Sequence, residues 1–569
     1  MRVCDYVARW LLLQGIDLVF DLPGGMISPL LDALDRTPGM RAITMHHEQG
    51  AAFAADAASR LRGTPAVALA TVGPGAINLL SGIASCHYDS SPTLFLTGQV
   101  QTYLQKGERP VRQFGFQEVD AVAMAEGITK AAIRVRSGEE VPAILAQALP
   151  LLLGGRPGPV LIDLPMDLQG AEIDAEPQVA APLLAPEPAD AAAVEEALDL
   201  LAGAERPLVL AGGGVRAARA FEVFRAFAQG CRVPVVSSIM ALDVLPAADP
   251  LRVGMIGMYG NRWANLAMLE SDVILVLGSR LDPGQTSADA VAWKRGKKIF
   301  QVDCDPTELD LRVRGLRTLQ ADVRAFLSAA VERLGEREIP SRPAWAARIE
   351  SLRQQFPDTA ELDGCPGINP NRFVRQLSAA SAPAAAFTVD AGQHTWWASQ
   401  SIQLRAGQRF LPATGLGPMG FSLPGGIGAA VAAGRPVVVL VGDGALQINL
   451  QELQTIVRHH LPVKIVVFNN HCHGMVRQFQ ETAFEGRYPA TVQGYSAPDF
   501  ARVAEAFGIA GRTVKEMGET EEAVRWLWQE PEAPALLQVE IPVETNVYPI
   551  VPFGLPLSEM ESFQRKSLE

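Results

Sequence analysis

The stretch 437–479, VVVLVGDGALQINLQELQTIVRHHLPVKIVVFNNHCHGMVRQF, constrains the fold more than any other. An apolar run, 437–441, ends in Gly442-Asp443-Gly444. A second run, 463–468, ends in Asn469-Asn470. Uninterrupted apolar runs of this length read as neighbouring parallel strands buried on both faces, with a helical segment crossing between them. Each run delivers a polar group to the carboxyl edge of the sheet, where ligands of open α/β sheets bind. Asp443 offers a carboxylate oxygen and Asn470 an amide oxygen, donors that suit a hard divalent cation shared with a phosphate group. Gly442 and Gly444 let the backbone approach such a phosphate. Read alone, Gly-Asp-Gly is equally a strand–turn–helix junction with no ligand.

The other segments alternate in the same way. Apolar runs at 17–20, 66–70, 93–97 and 160–164 are separated by helical spacing, as in Val3–Gln14 and Ser28–Leu34. That alternation predicts parallel sheets covered by helices, an α/β class of three doubly wound units. The expected units are 1–170, 196–335 and 368–545. The linker 171–195 carries Pro177, Pro182, Pro186 and Pro188. A second linker, 336–367, holds one amphipathic helix, and 546–569 is a tail. Strands of the second unit are expected at 208–211, 233–237, 273–277 and 298–303. A net charge of −13 with no basic stripe argues against nucleic acid. No run of 18 uncharged apolar residues predicts a membrane span. Six cysteines (4, 86, 231, 304, 365, 472) without CxxC spacing read as reduced thiols, and an acid at residue 5 speaks against a signal peptide. The expected compartment is the cytoplasm.

The pairing of Gly442-Asp443-Gly444 with Asn469-Asn470 resembles the GDG…NN signature of thiamine diphosphate (ThDP) enzymes. Blocks 46–100, 392–430 and 474–479, with Asn546-Val547-Tyr548-Pro549 and Val551-Pro552, resemble the acetohydroxyacid (acetolactate) synthase branch. The resemblance runs from residue 1 to about 555. It implies pyrimidine-binding, middle FAD-type and diphosphate-binding domains, with ThDP and Mg²⁺ as cofactors. Glu48, in His46-His47-Glu48-Gln49-Gly50, matches the glutamate that shares a proton with the aminopyrimidine N1′, so that the 4′-amino group can take the proton from thiazolium C2. That role demands a buried carboxylate; on residue type alone, Glu48 is a first-turn helix acid. ThDP would then span an interface between two subunits, giving a homodimer or homotetramer.

By the same resemblance, Gly25 belongs to a turn facing the reacting carbon, and Phe116 and Gln117 line the substrate side. Gln393 and His394 match diphosphate donors, with an ordinary surface histidine as the alternative for His394. Gly417 and Met419 belong to the cofactor block, Met419 as a wedge beneath the bent cofactor or as core filler. Ala445 and Gly474 follow the two cofactor turns. The metal ligands would be Asp443, Asn470 and the carbonyl of Cys472. Met475 and Phe479, one helical turn apart, would face the substrate. His471 and His473 are not expected to form a zinc cluster with the Cys472 thiol.

In the middle unit, Gly212, Gly213 and Gly214 follow a strand. With Met258, Tyr259, Gly260, Arg280, Asp303, Asp322 and Arg156, they match flavin-contacting positions. Some relatives keep this domain without flavin; the resemblance implies FAD as a third cofactor here. Two positions depart from the family. An arginine that pairs with the carboxylate of the second keto acid is here Gly284, and a tryptophan is here Phe479. The loop 103–113 is longer and carries Lys106, Arg109 and Arg112, facing either an anionic acceptor or solvent.

The expectation is an acyltransferase or lyase. It would decarboxylate a 2-keto acid, pyruvate first among donors, and ligate the acyl carbanion to a carbonyl acceptor. Without the arginine, that acceptor is expected to be a ketone, diketone or keto-sugar rather than a simple 2-keto acid. The alternatives are an acetolactate synthase using two pyruvates, a non-ligating 2-keto acid decarboxylase, and a catalytically silent homologue acting by assembly.

Overall fold

The computed structural model describes all residues except 182–184, 336, 338, 553 and 564–569. Pro182 of the expected linker and the end of the tail lie outside the described residues. Three six-stranded sheets follow one another, all of their paired strands parallel. The first holds β1 (Leu18–Leu22), β2 (Arg41–Thr44), β3 (Val67–Ala70), β4 (Leu94–Gln99), β5 (Ala131–Arg134) and β6 (Val160–Pro165). The second holds β7 (Pro207–Ala211), β8 (Val235–Ser237), β9 (Arg252–Met255), β10 (Val273–Leu277), β11 (Lys298–Asp303) and β12 (Arg317–Gln320). The third holds β13 (Ala386–Val389), β14 (Arg409–Pro412), β15 (Val437–Gly442), β16 (Val463–Asn469), β17 (Ala510–Val514) and β18 (Ala535–Glu540). Helices cover both faces, as buried parallel strands require. Among the described residues no helix is long and apolar enough to cross a membrane.

The first sheet runs β2-β1-β3-β4-β6-β5 and the third runs β14-β13-β15-β16-β18-β17. These are the same order, so the two units share one topology. The strand order reverses between β1 and β3, between β7 and β10, and between β13 and β15. Each reversal opens a crevice at the carboxyl edge, the usual ligand position of a doubly wound sheet.

Eight strands have no counterpart among the expected runs: β2, β5, β9, β12, β13, β14, β17 and β18. Six of them are edge strands, of which β9 and β14 are largely buried, and β13 and β18 are interior. An edge strand faces solvent on one side and does not need a continuous apolar run. The segment between β15 and β16 also differs from the expected crossover helix. It is three short pieces, Asp443–Leu446, Leu450–Glu452 and Leu453–Arg458. Asn449 sits at a break and donates to the Gly420 carbonyl at 2.8 Å.

One helix pair joins the first and third units. The Glu48–Arg62 helix packs along the Ser422–Ala433 helix, and a single apolar core runs through both. Small residues line the crossing. A Cβ at Gly428 would lie 2.0 Å from the Ala54 carbonyl oxygen, and one at Gly425 would lie 3.5 Å from the Ala57 Cβ. Phe53 and Phe421 meet edge to face at 5.5 Å. Polar ties flank the pair: Arg60 donates to the Pro412 carbonyl at 2.7 Å and Arg409 to the Arg60 carbonyl at 2.9 Å.

Overpacking a tight core costs about 1–3 kcal/mol. We therefore expect Gly428→Ala to lower the thermal midpoint by several degrees. Gly203→Ala, whose Cβ would meet nothing within 4 Å, should leave it unchanged. Thermal scans of the two variants check this, and equal midpoints would mean the helices can separate without cost.

Candidate active site

At the third sheet, the crevice lies between β13 and β15. Gln393 and His394 open the helix after β13, and Asp443 opens the turn after β15. Asn470 and Cys472 follow β16, the next strand along. Asp443 is 3% exposed, and its Oδ2 has no partner among the described atoms. Burial pushes its carboxyl up to about 6. The Asn470 Oδ1 lies 2.9 Å from the carbonyl oxygen of Cys472 and 3.3 Å from Asp443 Oδ1. Three oxygens thus face one another with no hydrogen between them.

Turning the Asn470 amide over would give two N–H contacts to Cys472 and Asp443. It would also set Asn470 Oδ1 against Gln393 Oε1 at 2.9 Å. Gln393 cannot turn to compensate, because its Nε2 donates to Gln478 Oε1 at 3.0 Å and to the Thr545 carbonyl at 3.1 Å. The Asn470 Nδ2 therefore donates to Gln393 Oε1, and its oxygen stays in the cluster. Ligands about 2.1 Å from an octahedral Mg²⁺ sit roughly 3 Å apart when adjacent. The spacing and the all-oxygen donor set fit such a cation.

The sulfur is not part of this set. Burial pushes the Cys472 thiol up to about 12, so it keeps its proton and offers only its backbone carbonyl. The neighbouring histidines have other partners: His471 pairs with Glu540 at 2.8 Å, and the His473 ring lies against Tyr495 and over Gly444, where a Cβ would meet it at 2.9 Å. Among the described residues no group of three or more His, Cys, Asp or Glu forms a metal cluster. His394 is buried, stacked on Phe468, and without a partner at Nε2. Burial lowers it to about 3, so the ring is neutral and can hold one N–H. The glycines make room here. A Cβ at Gly442 would lie 3.1 Å from the His394 ring, and one at Gly444 would lie 3.3 Å from Met419 Cε. Met419 thus reaches over the turn that carries Asp443. The loop of Gly417 and Gly420 is held by Asp390, which accepts from Gly420 N at 2.8 Å and from Ser422 N at 2.7 Å. Ala445 is buried in the Asp443 turn, and Met475 lies on the Gly474–Ala483 helix with Phe479, which is exposed.

The first sheet places Glu48 at the start of its helix, just past β2. It is 6% exposed and accepts from Asn78 Nδ2 at 3.0 Å. The turn before it is tied to the third unit, since His46 N donates to Glu452 Oε1 at 3.0 Å. Gly24 and Gly25 follow β1. A Cβ at Gly24 would strike Thr71 at 2.5 Å, and one at Gly75 would lie 3.3 Å from Glu48 Oε1. Gly25, Thr71, Gly75 and Glu48 therefore share one edge. Gln117, at φ 64°, packs its backbone on Gly73 beside them, whereas Phe116 is 79% exposed. Arg109 of the long loop donates to the carbonyls of Gln105 and Lys106 and covers Phe114, so its charge is engaged locally.

At the second sheet the two turns of the crevice touch. A Cβ at Gly212 would lie 2.0 Å from the Gly278 oxygen, and one at Gly214 would lie 2.6 Å from the Gly278 Cα. A cavity of about 1210 Å³ opens there, lined by Arg156, Gly213, Gly214, Met258, Tyr259, Arg280, Asp303 and Asp322 among others. Gly212 and Gly260 stand behind the wall. Arg156 is bound to Asp305 and Glu308 at 3.1 and 2.9 Å. Gly284 is on the wall too. Its carbonyl accepts from Met258 N at 2.7 Å, and its N–H donates to Asp282 at 2.9 Å.

Several residues of these sites carry no short-range signal. Gln478 and Thr545 reach Gln393 from distant segments, and Val547 reaches Gln478. Trp396 stacks on Tyr259 at 4.7 Å across two units. Asn78 is legible only once Glu48 is placed.

Three thiamine pyrophosphate (ThDP) enzyme domain families match the chain. The N-terminal TPP-binding domain covers residues 1–124, the central domain 194–330 and the C-terminal TPP-binding domain 390–539. The acetolactate synthase isozyme 2 large subunit of Escherichia coli (strain K12) is 36% identical over 564 residues, spanning 98% of this chain and 99% of that protein. The acetolactate synthase large subunit of Parasynechococcus marenigrum is 36% identical over 563 residues, 96% of this chain and 88% of that protein. That of Lactococcus lactis is 33% identical over 550 residues, 96% and 93%. With three matched domains in order and relatives aligned along nearly its whole length, the chain belongs to the acetolactate synthase family of ThDP-dependent enzymes.

Proposed function

We propose that the enzyme decarboxylates a 2-keto acid, pyruvate by preference, and joins the acyl unit to a carbonyl acceptor that is not a simple 2-keto acid. ThDP supplies the electron sink for the decarboxylation and the carbon–carbon bond. The protein's part is orientation, proton handling and exclusion of water. Asp443, Asn470 and the Cys472 carbonyl would hold Mg²⁺, and the neutral His394 would donate one N–H toward the diphosphate. Met419 would support the cofactor from beneath. Glu48, buried and held by Asn78, would carry the proton at N1′ of the aminopyrimidine. Glu48 would meet the cofactor of a partner subunit, so the working form is a homodimer or a homotetramer, and the compartment is the cytoplasm. FAD would occupy the middle cavity, between the glycine turns of β7 and β10.

The wall at Gly284 carries the acceptor reading. Where the family resemblance implies an arginine, the cavity presents the Asp282 carboxylate and the stacked Tyr259–Trp396 pair. Arg280 lines the same cavity, but at 284 itself no cation is left to pair a second carboxylate, and the adjoining acid and aromatic rings suit a neutral ketone, diketone or keto-sugar. The second reading, acetolactate formation from two pyruvates, is favoured by the names of the relatives.

Purified protein with ThDP, Mg²⁺ and pyruvate separates the two. We expect slow CO₂ release with little acetolactate by mass, rising at least about tenfold when a suitable ketone or keto-sugar is added. Rapid release with acetolactate accumulating would overturn the acceptor assignment. Gly284→Arg should raise acetolactate output, because a bidentate cation is restored; an unchanged product ratio would mean position 284 does not select the acceptor. Glu48→Gln should lower kcat about 10²–10⁴-fold, the range for a lost proton-transfer group. ThDP affinity should stay close to that of the unaltered protein in a fluorescence titration, and a variant with normal turnover would remove Glu48 from the chemistry.

A further inference from the structure

An asparagine as metal ligand has a difficulty that an aspartate lacks. Only one end of its amide can face a cation, and the wrong end presents N–H groups. Asn470 is 6% exposed, so water cannot decide which end that is. The answer lies in a chain of buried amides leading away from the oxygen cluster.

The chain begins at a main-chain group that cannot turn over. Val547 N–H donates to Gln478 Oε1 at 2.9 Å, and the Val547 carbonyl accepts from Gln478 Nε2 at 3.1 Å. This two-point contact sets the Gln478 amide in one orientation. Its Oε1 therefore faces Gln393 and accepts from Gln393 Nε2 at 3.0 Å. The Thr545 carbonyl, a second fixed acceptor, binds the same nitrogen at 3.1 Å. Gln393 is left with Oε1 pointing the other way, where it accepts from Asn470 Nδ2 at 2.9 Å. The remaining end of Asn470, an oxygen, joins Asp443 Oδ1 and the Cys472 carbonyl. Gln393 and Gln478 are 3% and 5% exposed. Gly474 keeps the path open: a Cβ there would lie 2.0 Å from Gln393 Oε1 and 2.5 Å from Asn470 Nδ2.

We propose that Gln478 and Gln393 are positioning residues, a relay that transmits the fixed polarity of the Val547 and Thr545 main chain to Asn470 and so presents its oxygen to the metal. The proposal rests on the divalent-cation reading given above. It gives Gln393 a role within the protein, since both N–H groups expected to meet a diphosphate are already engaged. It also ties the segment 545–547, which follows the third sheet, to the geometry of the cation site. A donor in place of the Gln478 acceptor works against one of the two anchors of the Gln393 amide, and a turned Gln393 reverses Asn470 in its turn.

The test uses Mn²⁺ as the probe, titrated into the full-length protein with saturating ThDP and read as free Mn²⁺ by electron paramagnetic resonance. Gln478→Glu keeps an acceptor toward Val547 N–H and Gln393, and should bind Mn²⁺ within about threefold of the unaltered protein. Gln478→Lys can only donate. It takes the Gln478 acceptor away from Gln393 Nε2 and sets a donor there, so that the Thr545 carbonyl alone opposes a turn of the Gln393 amide; the turned amide sets an N–H against Asn470, and Mn²⁺ binding should weaken at least tenfold. Asn470→Asp has an oxygen at both ends, and alone it meets Gln393 Oε1 oxygen to oxygen. Combined with Gln478→Lys it accepts from the turned Gln393 and still offers an oxygen to the metal. The double variant should recover at least tenfold over Gln478→Lys, while Asn470→Asp alone gains nothing. Charge alone would make the two changes additive, and additivity would overturn the relay. Gly474→Ala, which alters no charge, should also weaken Mn²⁺ at least tenfold. It keeps the proposal testable where Gln478→Lys does not fold, and unaltered binding would overturn it. If the unaltered protein with ThDP retains no Mn²⁺, the cation reading itself falls.

Discussion

The contact between Ala54 and Gly428 sets the arrangement on which the rest depends. Two helices from different units come so close that one carbonyl oxygen occupies the place of a side chain. Helices approach this closely only where small residues repeat, and both supply them: Gly50, Ala51, Ala54 and Ala57 on one, Gly425, Gly428 and Ala429 on the other. The resulting core is shared by the first and third units. Because Glu48 opens one of these helices, its place relative to the third sheet follows from the crossing. The His46–Glu452 hydrogen bond then fixes the turn before it.

The oxygen cluster is the opposite kind of feature. Asp443, Asn470 and the Cys472 carbonyl are brought together against their mutual repulsion, and the Asp443 carboxyl is pushed upward by burial. Unsatisfied buried polar groups are costly, and native proteins retain them where a ligand completes them. Here β15 and β16 place Asp443 and Asn470 as neighbours, and the hydrogen bond to Gln393 holds Asn470 in its unfavourable sense. This arrangement rests on the sheet and on the main chain at 545–547, both largely buried.

How much of this was legible follows from the physics of each signal. Most interior strands announce themselves, because a strand buried on both faces is largely apolar; β13 and β18 do not, since buried Thr388 and Gln538 interrupt their short runs. The edge strands β2, β5 and β12 do not, since half of each faces water. Asp443, Asn470 and Glu48 stand in short local patterns, and those patterns carry their chemistry. Gln478 and Trp396 have no such pattern. Gln478 matters through Val547, and Trp396 through Tyr259, partners that only the fold brings near. Gln393 is the instructive intermediate: its position in the crevice is readable, but the direction of its amide depends on Thr545 and Gln478. A local pattern can locate a polar side chain, whereas its donor and acceptor sense belongs to the tertiary network.

The same distinction separates the two halves of the chemistry. Groups that would serve the cofactor sit at strand ends and helix starts, where backbone geometry admits few residue types. Glycine is required at 212, 214 and 474 because a neighbouring atom already fills the Cβ position. The wall that would meet an acceptor is built differently. Gly284 has only the flexible end of Asp282 near its Cβ position, so the backbone there would accept a larger residue. Tyr259 and Trp396 stack through side chains alone, from separate units, and no main-chain constraint demands either ring. Change at this wall leaves the sheets, the glycine turns and the oxygen cluster undisturbed. On the acceptor assignment proposed above, one scaffold would keep its carbanion chemistry while the partner in the second step is exchanged, because selectivity would reside in side chains on which the fold does not depend.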